Sequence, residues 1–212
     1  MVFHTYPKIK TFGHEDNVEM FSNPDDEIIV EEKIDGANFR FMLKDGKIVF
    51  GSRKTALGDE EKEIGGNWKA CVAYILKNLN RKELGSYIVY GECCVKHSIN
   101  YNWEEMPPFL GFDIFDLKQE KFVSYDEKVE LFDKLNLPVV PFIKRTTAKE
   151  FIDKAPSDDD VPKSKYYDGT AEGVVFKNYD KGILTRYVTD QVKEKNKEEF
   201  GGNRKQYHED SE

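Results

Sequence analysis

The chain has 212 residues, 39% hydrophobic and 13% aromatic, which is enough apolar area for a sheet-based core and excludes global disorder. Its 32 Lys and Arg against 40 Asp and Glu leave a net charge of −8, which opposes unspecific attraction to a phosphate backbone and restricts nucleic-acid contact to a local basic channel. No apolar run reaches the roughly 18 residues of a membrane span, Met1-Val2-Phe3-His4-Thr5 has no signal pattern, and Cys71, Cys93 and Cys94 lack CxxC spacing, so we expect a soluble cytoplasmic protein without membrane, disulfide or structural zinc.

In chain order, Glu27 to Glu32 and Ala37 to Leu43 have strand composition, and Asp45-Gly46 supplies a hairpin turn into a strand over Lys47 to Ser52. Alternation puts Phe39, Phe41 and Leu43 on one face and turns Asn38 and Arg40 to the other. Trp68, Cys71, Val72, Ile75, Leu76 and Leu79 recur at helical spacing, the apolar stripe of a helix packed on a core. Strands resume at Tyr87 to Glu92 and Phe109 to Phe115. Ser124 and Glu127 form a capping-box pattern for a helix whose buried face is Val129, Phe132 and Leu135. Ala155 to Gly169, rich in Pro, Asp, Ser and Lys, reads as an exposed loop before strands at Glu172 to Lys177 and Ile183 to Val188. The expectation is an α+β fold of twisted antiparallel sheets flanked by helices, one domain over residues 1–200, with 201–212 a flexible tail.

The segment Glu31-Glu32-Lys33-Ile34-Asp35-Gly36 sets a lysine at a strand end facing a cleft, where Asp35-Gly36 reverses the chain into the next strand. A nucleophilic lysine must lose its proton, so its ordinary pKa of about 10.4 has to fall through desolvation or nearby positive charge. Lys193 and Lys195 are candidates for that charge, together with a bound metal. Taken alone, the same residues also read as a lysine beside a turn and two exposed helix lysines.

The sequence Lys33-Ile34-Asp35-Gly36 resembles the KxDG motif of ATP-dependent DNA ligases, RNA ligases and messenger-RNA capping enzymes. The likeness continues in that superfamily's order. Ser52-Arg53 falls at the next motif, Tyr90-Gly91-Glu92 resembles the third, and Phe112-Asp113-Ile114-Phe115 the base-stacking segment. Glu172-Gly173-Val174-Val175-Phe176-Lys177 resembles motif four and Lys193-Glu194-Lys195-Asn196 the KxK of motif five, so the resemblance runs from Glu31 to Asn196. Lys33 to Phe39 reads K-I-D-G-A-N-F, similar to nick-sealing ligases of the RNA ligase 2 type, whereas DNA ligases usually carry arginine where this chain has Asn38. Only 40 residues follow Glu172, too few for the OB-fold domain of a capping enzyme, so the chain reads as a catalytic domain alone.

The resemblance implies an ATP-grasp-like nucleotidyltransferase domain in which Lys33 takes AMP from ATP as a phosphoramidate, passes it to a 5′-phosphate and joins that end to a 3′-hydroxyl. It implies that Phe112 stacks on adenine, with Phe115 a rival, that Glu92 meets a ribose hydroxyl, and that Arg53 binds phosphate. Asn38, in the motif's RNA-ligase variant, joins the nucleotide-binding set. Glu172 helps hold Mg²⁺ or Mn²⁺, while Lys193 and Lys195 neutralise the triphosphate. Asp35 positions Lys33 or forms the turn. Glu32 contacts the adenine edge or is a strand-end acid, and Lys177 binds phosphate or caps a strand. Expected partners are RNA ends, nicked or annealed, with DNA as the competing substrate and an accessory protein or homodimer supplying further docking surface. The reading from another class is a nucleotide-binding or RNA-binding module that is adenylylated but does not seal.

Overall fold

The computed structural model describes residues 4–95, 99–152 and 154–194. Its elements are β1 (Lys10–Thr11), β2 (Glu27–Lys33), β3 (Ala37–Lys44), β4 (Lys47–Ser52), β5 (Ala56–Asp59), α1 (Lys69–Asn78), β6 (Tyr87–Cys93), β7 (Phe109–Asp116), β8 (Lys121–Phe122), α2 (Tyr125–Leu135), β9 (Phe142–Thr147), α3 (Lys149–Ile152), β10 (Gly173–Asn178) and β11 (Ile183–Val188). They form two sheets, ordered β1-β11-β10-β2-β9 and β5-β4-β3-β6-β7-β8. All pairings are antiparallel except β1 with β11. The α+β expectation holds. The residues beyond 194, including the expected tail and Lys195, lie outside the described part.

Local chemistry explains the best-read elements. Asp45 and Gly46, at φ 49° and 77°, make the two left-handed positions of the β3–β4 turn that Asp-Gly favours. Ser124 caps α2, its hydroxyl accepting from the Glu127 backbone N–H, and Asn136 ends the helix in the left-handed region. The buried face of α2 differs from the expected one: Lys128, Leu131, Phe132 and Leu135 point inward and Val129 is exposed. The face is rotated by one residue because the Lys128 ammonium reaches a buried carboxylate, described below. In α1 the stripe is Cys71, Val72 and Ile75, with Leu76 half exposed.

Three apolar layers result. Phe39, Phe41, Phe50, Val89 and Phe109 pack under α1 and α2 on the outer face of the second sheet. Ile28, Val30, Val174 and Phe176 pack against Phe151 on the outer face of the first. Between the sheets lie Tyr6, Ile88, Tyr90 and Phe115, with Ile9 and Leu184 against them.

One expectation is corrected here with consequences for the site. β2 does not form a hairpin with β3: β2 pairs with β10 and β9, and β3 with β4 and β6. The turn Ile34-Asp35-Gly36 therefore carries the chain from one sheet to the other. Lys33, the last residue of β2, is placed where the two sheets meet.

Candidate active site

Strand alternation directs the inward side chains of both sheets into a cleft between them. Glu31 and Lys33 come from β2, Val175 and Lys177 from β10, Arg186 from β11, Asn38 from β3 and Glu92 from β6; Arg53, just past β4, joins them. Two glycines permit the approach. A Cβ on Gly36 would lie 2.6 Å from the Cys93 carbonyl oxygen and 2.7 Å from Glu92 Cγ, and one on Gly173 would lie 2.0 Å from the Tyr187 oxygen. Without them the crossover turn and the strand beside Lys33 could not close up.

Lys33 Nζ donates to Glu172 Oε2 at 2.7 Å, so the residues at the two motif positions, 139 apart in sequence, meet. Burial disfavours the Lys33 charge, but the Glu172 carboxylate, helped by Glu92, outweighs it and the net shift is upward. Arg186 pulls the other way. This departs from the expectation of a lysine depressed by neighbouring cations: Glu172 favours Lys33 as an ammonium. Burial also raises Glu172, assisted by Asp35 and opposed by Lys33.

Glu92 is pushed up to about 8 by burial, with Glu172 and Asp35 adding repulsion and Lys33 and Arg53 offsetting part of it. Asp35 is buried just behind the nucleophile. Its Oδ2 accepts from the Ile99 N–H at 2.9 Å and its own N–H donates to the Tyr101 hydroxyl at 2.8 Å, so it is held by the 99–101 loop. Glu32 lines the cleft while accepting from Ser164 Oγ at 2.5 Å and the Lys165 N–H at 3.1 Å. The stretch expected as an exposed loop thus turns back onto the site, with Val161 and Tyr166 buried. Of the two candidate stacking rings, Phe112 lines the cleft, whereas Phe115 stacks on His4 with ring centroids 3.8 Å apart.

Lys177 is placed in the cleft floor, where its ammonium donates to the Phe112 carbonyl at 2.7 Å and to Asp113 Oδ2 at 2.9 Å and forms an ion pair with Glu31 Oε2 at 2.7 Å, an oxygen that accepts no hydrogen bond. Two of the three ammonium N–H groups are thus donated to the protein, and the charge is paired with two buried carboxylates. Around it, Lys128 Nζ lies 2.5 Å from Glu31 Oε1, and the Tyr6 and Tyr179 hydroxyls donate to Asp113. Lys193 is not brought into the cleft; its Nζ pairs with Asp190 at 2.8 Å and lies over the Tyr187 ring. The cation that β11 does bring is Arg186, which the sequence reading missed. It lies 14 residues beyond Glu172, on a strand whose alternation could have flagged it. Lys128, Tyr6, Tyr101 and Ser164 were missed as well, because their roles depend on contacts 64 or more residues distant in sequence.

Among the described residues, no three His, Cys, Asp or Glu side chains converge as a metal cage. A single carboxylate such as Glu172 fits a hard ion of the Mg²⁺ kind, which keeps waters and takes its remaining ligands from nucleotide phosphates.

The RNA ligase family matches residues 26–190, and the chain belongs to it. Its fold is that of an RNA ligase from Naegleria gruberi: a variant with ATP and Mn superposes with a TM-score of 0.64 at 19% identity, covering 90% of this chain and 58% of that one. The same ligase with pyrophosphate gives 0.65 at 19% identity, covering 92% and 58%. Protein Early 65 kDa of Autographa californica nuclear polyhedrosis virus is 28% identical over 151 residues, 66% of this chain and 27% of that protein. The chain thus spans little more than half of the ligase structures and about a quarter of the viral relative. No helix among the described residues is long and apolar enough to cross a membrane.

Proposed function

We propose that this chain is an ATP-dependent RNA ligase, or the adenylyltransferase domain of one, with Lys33 as the nucleophile. The observation that carries the reading is the part-buried Lys33–Glu172 pair at the junction of the two sheets, faced by Glu92, Arg53 and Arg186. The ligand states of the Naegleria ligase, with ATP and Mn or with AMP and Mn, support ATP and a divalent ion as the requirements. Lys33 Nζ gives up a proton to solvent and attacks the α-phosphorus of ATP, the N–P bond forms as the bond to the bridging oxygen breaks, and pyrophosphate leaves. Arg53 and Arg186 meet phosphate oxygens, Phe112 provides a base-stacking face, and Glu92, protonated below about pH 8, offers a ribose hydroxyl both a donor and an acceptor. Glu172 would hold the divalent ion, which supplies charge neutralisation at the phosphates when bound. Engagement of Glu172 elsewhere removes the carboxylate that keeps Lys33 protonated.

The subsequent steps transfer AMP to a 5′-phosphate and join it to a 3′-hydroxyl, with nicked or annealed RNA as the substrate, since a duplex holds the ends near attack geometry for a protein with few phosphate contacts. Protein incubated with α-labelled ATP and Mg²⁺ or Mn²⁺ is expected to carry label through a denaturing gel, and Lys33→Ala to carry none. Label at the wild-type level in that variant would remove Lys33 from the role. A nicked RNA duplex is expected to be sealed faster than the matching DNA, and equal rates would return the substrate choice to DNA.

A further inference from the structure

The segment 161–171 returns to the cleft as a built loop. Its two arms are joined by the bridge between Lys163 and Thr170 and by the Ser164 N–H, which donates to the Gly169 carbonyl at 2.9 Å. The Asn102 N–H donates to the Tyr166 carbonyl at 2.7 Å, which ties the loop to the chain that holds Asp35. Tyr166 is buried in an apolar cluster with Ile34, Val140 and Phe112, three residues that also line the cleft. The cleft therefore has an apolar, aromatic part, different in chemistry from the cationic part formed by Lys33, Arg53 and Arg186.

Glu32 belongs to the apolar part. Neighbouring residues of a strand point to opposite sides, so its carboxylate, 3% exposed, does not share the direction of Lys33. Ser164 Oγ donates to its Oε1 at 2.5 Å and the Lys165 N–H to its Oε2 at 3.1 Å, while Ser164 Oγ accepts from the Tyr166 N–H at 3.1 Å. A backbone group thus orients the hydroxyl, and one donor fixes each carboxylate oxygen. A carboxylate offers about four lone-pair sites, so acceptor capacity remains for a ligand. Burial raises the Glu32 pKa, and Ser164 and Lys165 act against it, which favours the ionised form that only accepts.

An acceptor held beside an aromatic surface selects a base that presents a donor to it. Adenine carries an exocyclic amino group where guanine carries a carbonyl oxygen. We propose that Ser164 is a positioning residue that fixes Glu32 to read the exocyclic amino group of adenine, so that the returning loop sets the preference for ATP. This rests on the adenylyltransferase reading above and deepens it from nucleotide binding to base choice. A loose carboxylate could turn to the N–H groups of guanine, and fixing both oxygens denies it that movement.

The test measures self-labelling of wild type, Ser164→Ala and Ser164→Thr with α-labelled ATP, GTP and purine riboside triphosphate, which lacks the amino group. Ser164→Ala leaves the backbone bonds of the loop in place. Wild type is expected to reach half-saturation with ATP at a concentration about tenfold below that for the purine riboside analogue, the size of one charged hydrogen bond. In Ser164→Ala this preference should shrink to about twofold through weaker ATP use alone, with the rate at saturating ATP kept within about twofold of wild type. Selection against GTP should relax in parallel. Ser164→Thr keeps the hydroxyl and should restore both preferences. Glu32→Ala should lose them, and their retention in that variant would overturn the proposal. So would a wild type indifferent to the amino group, or a Ser164→Ala variant that weakens ATP and the analogue alike or changes only the saturating rate. A wild-type protein that takes no label from any of the three nucleotides would instead overturn the reading beneath it.

Discussion

Two clusters of lysines and carboxylates lie within the same cleft, and they are built differently. At its floor, Lys128, Lys177, Glu31 and Asp113 balance two positive against two negative charges, and both Asp113 oxygens accept from protein groups. At its rim, Lys33, Glu92, Glu172 and Asp35 set three carboxyl groups against one lysine, with Arg53 and Arg186 nearby, and Glu92 is displaced to about 8. A charge-balanced network holds structure, and here it does so with Glu31 Oε2 meeting Lys177 as an ion pair only. An imbalanced one gains when a cationic or phosphate-bearing ligand completes it, and perturbed titration of this kind accompanies functional sites. The residue type does not separate the two; the count of partners does. Lys177, which motif matching would give to phosphate, belongs to the floor by that count.

The largest expected effect is on the floor. Lys128→Met leaves Glu31 with one fewer partner and the cluster with a net buried negative charge, which should cost about 3–5 kcal/mol in urea unfolding. The double change Glu31→Gln with Lys128→Met keeps the remaining Lys177 and Asp113 balanced and should recover a substantial part of that loss. If the double variant is as unstable as the sum of both single changes, the floor does not act as a charge-balanced unit.

The next effect falls on the rim and on rate rather than stability. Glu172→Gln should slow self-labelling roughly 100-fold and raise the divalent ion concentration needed, since it removes an oxygen ligand at the phosphates. Because the Glu172 carboxylate holds the Lys33 pKa up, the residual activity should also reach its plateau at lower pH than wild type. An unchanged metal titration in a folded variant would leave Glu172 as an ion-pair partner only.

Most of the rim was legible in the sequence, Arg186 excepted, and the partners that make up the floor were not. Lys33, Asp35, Arg53, Glu92, Phe112 and Glu172 announce themselves through short motifs in a fixed order. Lys128 reads as a solvated helix lysine until Glu31, 97 residues away in sequence, is packed against it. The hairpin expected at Asp35-Gly36 failed for a related reason. A turn signal specifies that the chain reverses but not which sheet receives the next strand, and pairing partners are fixed by tertiary packing. Lys193 was favoured by its spacing to Lys195, a pattern that does not report which side of a helix end the ammonium occupies.

The finest test of the contrast is a pH slope. Glu92 has its pKa raised from the ordinary 4.5 to about 8, with burial the main cause, and it faces Lys33, Arg53, Glu172 and Asp35. Between those two values the folded protein holds a proton that the unfolded chain has released. Stability from this group is therefore fully present below about pH 4.5 and is lost as pH rises toward 8, beyond which it changes no further. Glu92→Gln removes the titration while keeping a side chain of the same shape. Thermal unfolding should show the variant gaining on wild type from pH 5 to pH 8, by a few degrees, and running parallel to it above that window. The floor supplies the control: Asp113 is shifted downward, with burial opposed by Lys177 and Lys128, so its contribution changes only at acid pH and does not overlap the window. Parallel curves from pH 5 to 8 would mean that Glu92 is already ionised in the folded cleft. In that case Lys33 and Arg53 would compensate its charge, and the rim would be as closed as the floor.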